Sequence, residues 1–66
     1  MEGTIKSLVR DRGFGFITPD GETQDIFFHR NELQGVNYED LKEGDRMSFE
    51  VAEGQKGKNA VKVSRI

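Results

Sequence analysis

No window of eleven or more residues in this sequence repeats its apolar residues at the i, i+3, i+4, i+7 spacing of an amphipathic helix. The apolar residues come instead in short alternating runs separated by turn signals, which is the pattern of strands. Pro19-Asp20-Gly21 is a turn with a mechanism: proline presets φ, aspartate caps locally and glycine accepts positive φ. Gly54-Gln55-Lys56-Gly57 marks a second turn, and Gly35 and Gly44 bracket a longer loop. The intervening segments predict strands over 3–10, 13–18, 25–29, 45–53 and 59–65, one helical turn over 30–33 and a loop over 34–44. All of this must fit one domain of 66 residues. A chain this short buries only about 60% of the surface its unfolded form exposes. It has no cysteine for a disulfide and no His/Cys cluster for a structural metal. Its stability must then come from a closed or nearly closed sheet, which leaves few backbone groups unpaired at edges. The expected fold is a small all-β barrel.

Alternation assigns the two faces of each strand. In the fourth, Met47, Phe49 and Val51 share a face opposite Arg46, Ser48 and Glu50; in the fifth, Val61 and Val63 oppose Lys62 and Ser64. Ile5, Ile17, Ile26 and Phe28 complete the inward set, with Leu33 and Leu41 closing the ends.

The aromatic residues left outside that core are the informative ones. In Arg12-Gly13-Phe14-Gly15-Phe16-Ile17, Phe14 and Phe16 lie opposite Ile17; in Ile26-Phe27-Phe28-His29, Phe27 and His29 lie opposite Ile26 and Phe28. Pairing of these two strands would set four rings side by side on the surface. Exposed ring area of that extent calls for a partner. Unstacked nucleobases suit it, since each offers a π-face worth roughly 1–3 kcal/mol per stack. Lys6, Arg12 and Arg30 lie close in sequence and could meet phosphates.

The net charge of −2 does not contradict this, because the charge is unevenly distributed. Residues 1–19 set Lys6, Arg10 and Arg12 against Glu2 and Asp11, and residues 20–54 set ten acids against Arg30, Lys42 and Arg46. Residues 55–66 hold Lys56, Lys58, Lys62 and Arg65 without an acid. A local field, not the total, governs a polyanion's approach. Other chemistry finds no support. With one histidine and no cysteine there is no nucleophile–base pair, so no enzyme is expected. Asp25 and His29 would stand about 13 Å apart along a strand. Glu39, Asp40, Glu43 and Asp45 lack calcium-loop spacing, and Gly57-Lys58 lacks the rest of a P-loop. Gly54-Gln55-Lys56-Gly57 spells a GXXG loop, but without the two helices such a loop joins. No cofactor, metal or small-molecule substrate is expected. The start of the chain carries no apolar run of a signal peptide, and the longest apolar stretch is Ile26-Phe27-Phe28. A cytoplasmic protein without a membrane partner is expected.

The two aromatic segments resemble the first and second ribonucleoprotein motifs. In this order and spacing they are similar to those of cold-shock proteins, as are Gly3-Thr4-Ile5-Lys6, Leu41-Lys42-Glu43-Gly44-Asp45, Phe49-Glu50 and Gly54-Gln55-Lys56-Gly57. The resemblance covers nearly the whole chain. It implies a five-stranded antiparallel OB-type barrel that binds single-stranded RNA or DNA with low sequence specificity, often as an RNA chaperone. Phe14, Phe16, Phe27, His29 and Tyr38 would stack on bases, and Lys6, Arg12, Arg30, Lys56 and Lys58 would meet the backbone. Several positions depart from the family pattern. Ser7, Leu8 and Val9 stand where tryptophan, phenylalanine and asparagine are usual. Arg30 replaces a frequent aromatic, and Lys58 replaces a proline. A guanidinium plane can itself stack on a base. A monomer from a bacterium is expected. The alternative is a diverged barrel whose apolar face binds a protein or a second copy of itself.

Overall fold

Strand-forming alternation is realised in the computed structural model, which describes residues 1–54 and 57–66. The strands are β1 (Glu2–Val9), β2 (Phe14–Pro19), β3 (Ile26–His29), β4 (Arg46–Gly54) and β5 (Gly57–Arg65). They close into a barrel in the order β1-β2-β3-β5-β4. The helical turn expected over 30–33 is a 3-10 turn, Arg30–Glu32, and the loop over 34–44 contains a second, Tyr38–Asp40. The predicted turn at 54–57 falls, at Gln55 and Lys56, outside the described residues.

Four of the seams are antiparallel, and the fifth, β3 to β5, is parallel, with Phe27 opposite Asn59. The reason is parity. Around a ring of five strands, direction cannot alternate at every step, so one seam must run parallel. An isolated parallel bridge between Leu33 and Val63 extends that seam past the end of β3.

The core consists of Ile5, Ile17, Ile26, Phe28, Leu41, Met47, Phe49, Ala60 and Val63, and no polar side chain is buried among the described residues. Leu8, Leu33, Val36, Tyr38 and Val51 pack partly buried against it. Val61 does not take its expected place, which goes to Ala60. The cause is a bulge in β5. Glu50 pairs with Val61 and Ser48 with Ser64, so Phe49 alone faces Lys62 and Val63. Lys62 absorbs the extra residue with a left-handed φ of 51°, and inward positions become 60 and 63.

A second bulge interrupts β1. Ile5 pairs with Ile17 but Ser7 with Phe16, leaving Lys6 as the extra residue. Backbone bonds from Ile5 N–H to the Asp45 carbonyl (2.9 Å) and from Gly44 N–H to the Ile5 carbonyl (2.8 Å) hold the chain at the bend. Strict alternation from Ile5 would have sent Ser7 and Val9 inward. Past the bulge they face outward, and Leu8 faces the core.

Arginines brace the loops. Arg46 grips the Asp20 carboxylate with both terminal nitrogens at 2.7 and 2.6 Å and donates to the Thr4 hydroxyl at 3.0 Å. Arg10 donates to the Leu41 carbonyl at 2.6 Å, and Arg65 to the Asp40 carbonyl and the Asp45 carboxylate at 3.0 and 2.9 Å.

The β5 bulge generates a direct test. A branched Cβ is poorly accommodated at left-handed φ, so Lys62→Val should lower stability by about 1–2 kcal/mol. Lys62→Gly should change it by less than about 0.5 kcal/mol, since relief of strain offsets the added freedom of the unfolded chain. Urea unfolding midpoints of the two variants provide the comparison.

Candidate nucleic-acid interface

The outer face of β2 presents Phe14 and Phe16, and that of β3 presents Phe27 and His29. Register sets Phe16 opposite Phe27 and Phe14 opposite His29. All four are partly exposed. The phenylalanines form one cluster, with ring centroids 5.9 Å apart for Phe14–Phe16, 5.1 Å for Phe14–Phe27 and 6.0 Å for Phe16–Phe27. The first and last pairs meet edge to face. Such contacts hold the rings in place through their quadrupoles and leave faces for a flat ligand. His29 accepts a hydrogen bond at Nδ1 from the Asn31 N–H at 3.1 Å, which fixes the orientation of its ring.

Two glycines make the row possible. A Cβ on Gly15 would come within 2.7 Å of the Ser7 carbonyl oxygen and 2.8 Å of the Phe28 ring, so β1 and Phe28 approach only because the position is bare. Gly13 has a φ of 75°, and its open side is covered by the Arg30 stem, whose Cδ would lie 3.0 Å from an added Cβ.

On β1, Ser7 opposes Phe16 and Val9 opposes Phe14, so the outer face beside the rings carries two small side chains. Tyr38 reaches the same region from the second 3-10 turn. It is half-buried, and its hydroxyl donates to the Phe14 carbonyl at 2.6 Å. Burial pushes the phenol's pKa up from its ordinary value.

The predicted cations are dispersed around these rings. Arg12 and Arg30 are exposed beyond one end of β2, Arg30 following His29 directly. Lys6 projects from the β1 bulge, with Nζ 3.1 Å from the Asp25 carboxylate. Lys58, brought beside β3 by the parallel seam, lines a groove of about 400 Å³ with Phe16, Phe27, Ile26 and Asp25. Lys56 lies outside the described residues. No cluster of three or more His, Cys, Asp or Glu side chains able to hold a metal occurs among the described residues. No helix of the described residues is long and apolar enough to cross a membrane.

The counter-ions of these cations are not announced by any local pattern in the sequence. Asp25 accepts from the Thr18 hydroxyl at 2.7 Å as well as from Lys6. Alternation alone puts Thr18 on the outer face of β2, whereas the direction of Lys6 follows from the bulge.

A family model described as the 'Cold-shock' DNA-binding domain matches residues 1–66. The Escherichia coli (strain K12) Cold shock-like protein CspC is 41% identical over 66 residues, covering all of this chain and 96% of that protein. The Major cold shock protein of Micrococcus luteus is 38% identical over 64 residues, covering 97% of this chain and 96% of the other. Among solved structures, drosophila Unr CSD456 is similar with a TM-score of 0.80 and 26% identity, over 98% of this chain and 26% of that one.

The carboxylates around the barrel carry a pH signature. The Thr18 hydroxyl and then Lys6 hold Asp25 below its ordinary pKa. Arg46 does the same for Asp20, and the Lys42 N–H, followed by Arg65, for Asp45. A folded-state value below the unfolded one of about 3.9 means that the unfolded chain takes up protons first on acidification. Their contribution is therefore complete above about pH 5 and is lost as the pH falls through the folded values. Thermal midpoints followed by circular dichroism should stay level from pH 7 to about 5 and decline below about 4. A variant with Asp20, Asp25 and Asp45 all replaced by Asn should start lower at pH 7 and decline less.

Proposed function

The chain belongs to the cold-shock domain family, whose members bind nucleic acids and are not enzymes, and we propose that residues 1–66 act as one domain that binds single-stranded RNA or DNA with low sequence specificity, as a cytoplasmic, monomeric RNA chaperone. The observation that carries this reading is the cluster of Phe14, Phe16 and Phe27 on one outer face, with centroids about 5–6 Å apart and the rings partly exposed. Every base has a π-face, so ring stacking accepts sequence broadly. Contacts of about 1–3 kcal/mol each are comparable with the stacking that weak RNA hairpins lose on opening, so several together trap the opened strand. His29 extends the row, and the anchored Tyr38 borders it. Lys6, Arg12, Arg30, Lys56 and Lys58 supply the charge that draws the phosphates in.

Phe27 touches both other rings and packs into no fully buried layer. Phe27→Ala should weaken binding of a fluorescently labelled oligothymidine by about 1–3 kcal/mol while the unfolding midpoint changes little. Normal binding by this variant, or its unfolding at room temperature, would remove the basis of the proposal.

Ser7 leaves a gap in the row beside Phe16. Ser7→Trp would place an indole there and should tighten oligothymidine binding by about 1–3 kcal/mol, one added stack. The sequence contains no other tryptophan, so quenching of the indole fluorescence reports the contact directly. Unchanged affinity without quenching would put Ser7 off the path of the strand.

A further inference from the structure

Beyond His29, the segment that carries the two 3-10 turns shapes a second groove, of about 380 Å³. Its floor includes the partly buried Leu33 and Val36, and Arg30, Asn37, Tyr38 and Glu39 also line it. Two of these groups are fixed in advance. Tyr38 is tied to the Phe14 carbonyl at 2.6 Å. The Arg30 N–H donates to the Gly13 carbonyl at 2.9 Å, and its stem lies over Gly13.

Arg30 differs from the arginines that brace the fold. Arg10, Arg46 and Arg65 each donate to a carbonyl or carboxylate of the chain, whereas the Arg30 guanidinium has no such acceptor among the described residues. Glu39 lines the same groove, yet the two form no ion pair. A forked donor and a carboxylate acceptor thus border one groove, roomy enough for a base, without pairing with each other.

From this arrangement, and resting on the single-strand reading above, we propose that the groove is a guanine-selective subsite, with Arg30 and Glu39 as its specificity-determining residues. The choice follows from the edges of the bases. Guanine has two acceptors, O6 and N7, which a guanidinium can fork, and two adjacent donors, N1–H and N2–H₂, which a carboxylate can accept. Adenine has a donor where the fork requires O6. Uracil and thymine have a single N–H between two carbonyls. Cytosine offers acceptors and a donor on one edge, which would require the two side chains to stand together. Tyr38 contributes a ring at the same groove, and Asn37 a further amide. The row of phenylalanines accepts any base, and this end of it discriminates.

The test uses the intact protein and labelled heptamers read by fluorescence anisotropy. Heptathymidine is the reference, and guanine, adenine or cytosine replaces each thymine in turn. Guanine at one position should tighten binding by about fivefold or more, the low end expected of a bidentate contact at an open site. Adenine and cytosine there should stay within about twofold of thymine. Arg30→Lys keeps the charge and loses the fork, and Glu39→Gln loses the carboxylate; each should bring the guanine-to-thymine affinity ratio close to one. Both positions are exposed, and unchanged circular dichroism would verify the fold. The proposal is overturned if no position favours guanine over adenine and cytosine. It is also overturned if the ratio survives both substitutions, since Arg30 would then supply charge alone and read no base edge. Loss of binding to heptathymidine itself in the unsubstituted protein would instead overturn the single-strand reading, and this proposal with it.

Discussion

Phe28 lies against the bare Cα of Gly15, and the rest of the molecule is arranged around that contact. The inner row of β2, Gly15, Ile17 and Pro19, is buried, and its outer row is Phe14, Phe16 and Thr18. A side chain at position 15 would collide with both the Phe28 ring and the β1 backbone. Without one, Phe28 enters the core with no measurable exposure, a burial worth roughly 1.5–3 kcal/mol. Phe14 and Phe16 of β2 and Phe27 of β3 stand on the opposite, outer face in register with one another. Core and surface are consequences of one alternation, so the large side chain that β2 lacks on its inner face is supplied by β3.

A chain of net charge −2 can carry an interface for a polyanion because its cations are divided between two tasks. Arg10, Arg46 and Arg65 are committed to carbonyls and carboxylates that brace loops. Arg12, Arg30 and Lys58 remain exposed around the rings. Several of the acids that dominate residues 20–54 are themselves neutralised: Asp20 by Arg46, Asp45 by Arg65 and Asp25 by Lys6. At physiological salt, fields decay over about 8 Å, so a phosphate at the ring face responds to the charges nearest it.

Much of the barrel was legible in the sequence because alternation of period two survives in short segments. Ile17, Ile26, Phe28, Met47 and Phe49 point where the pattern sends them, and the outward Phe14, Phe16, Phe27 and His29 follow from the same reading. What alternation cannot encode is the point at which it fails. The bulge at Lys62 exchanges Val61 for Ala60 in the core, and the bulge at Lys6 turns Ser7 and Val9 outward. Neither position holds a glycine or another residue that marks a bulge. The register there depends on partners remote in sequence: Phe49 for the first, and Gly44 with Asp45 for the second. The hydroxyl bond of Tyr38 was equally hidden. It joins the 34–44 loop to β2 across 24 residues, and no local pattern announces it.

The β1 bulge also explains why the departures at residues 7–9 fall on surface and core differently. Leu8, opposite Gly15, fills core space and remains apolar. Ser7 and Val9 face outward, where small side chains leave the barrel intact. The substitution of serine for an aromatic at position 7 thus alters what the outer face can hold without disturbing what the inner face packs. On the proposed reading, one fewer platform removes roughly 1–3 kcal/mol of stacking, about five- to 150-fold in residence time. The ring row is then weighted away from β1, toward the end of β3 where Arg30 and Tyr38 stand. A strand bound mainly there would leave the β1 side quickly and open to exchange, which is what the proposed chaperone role requires.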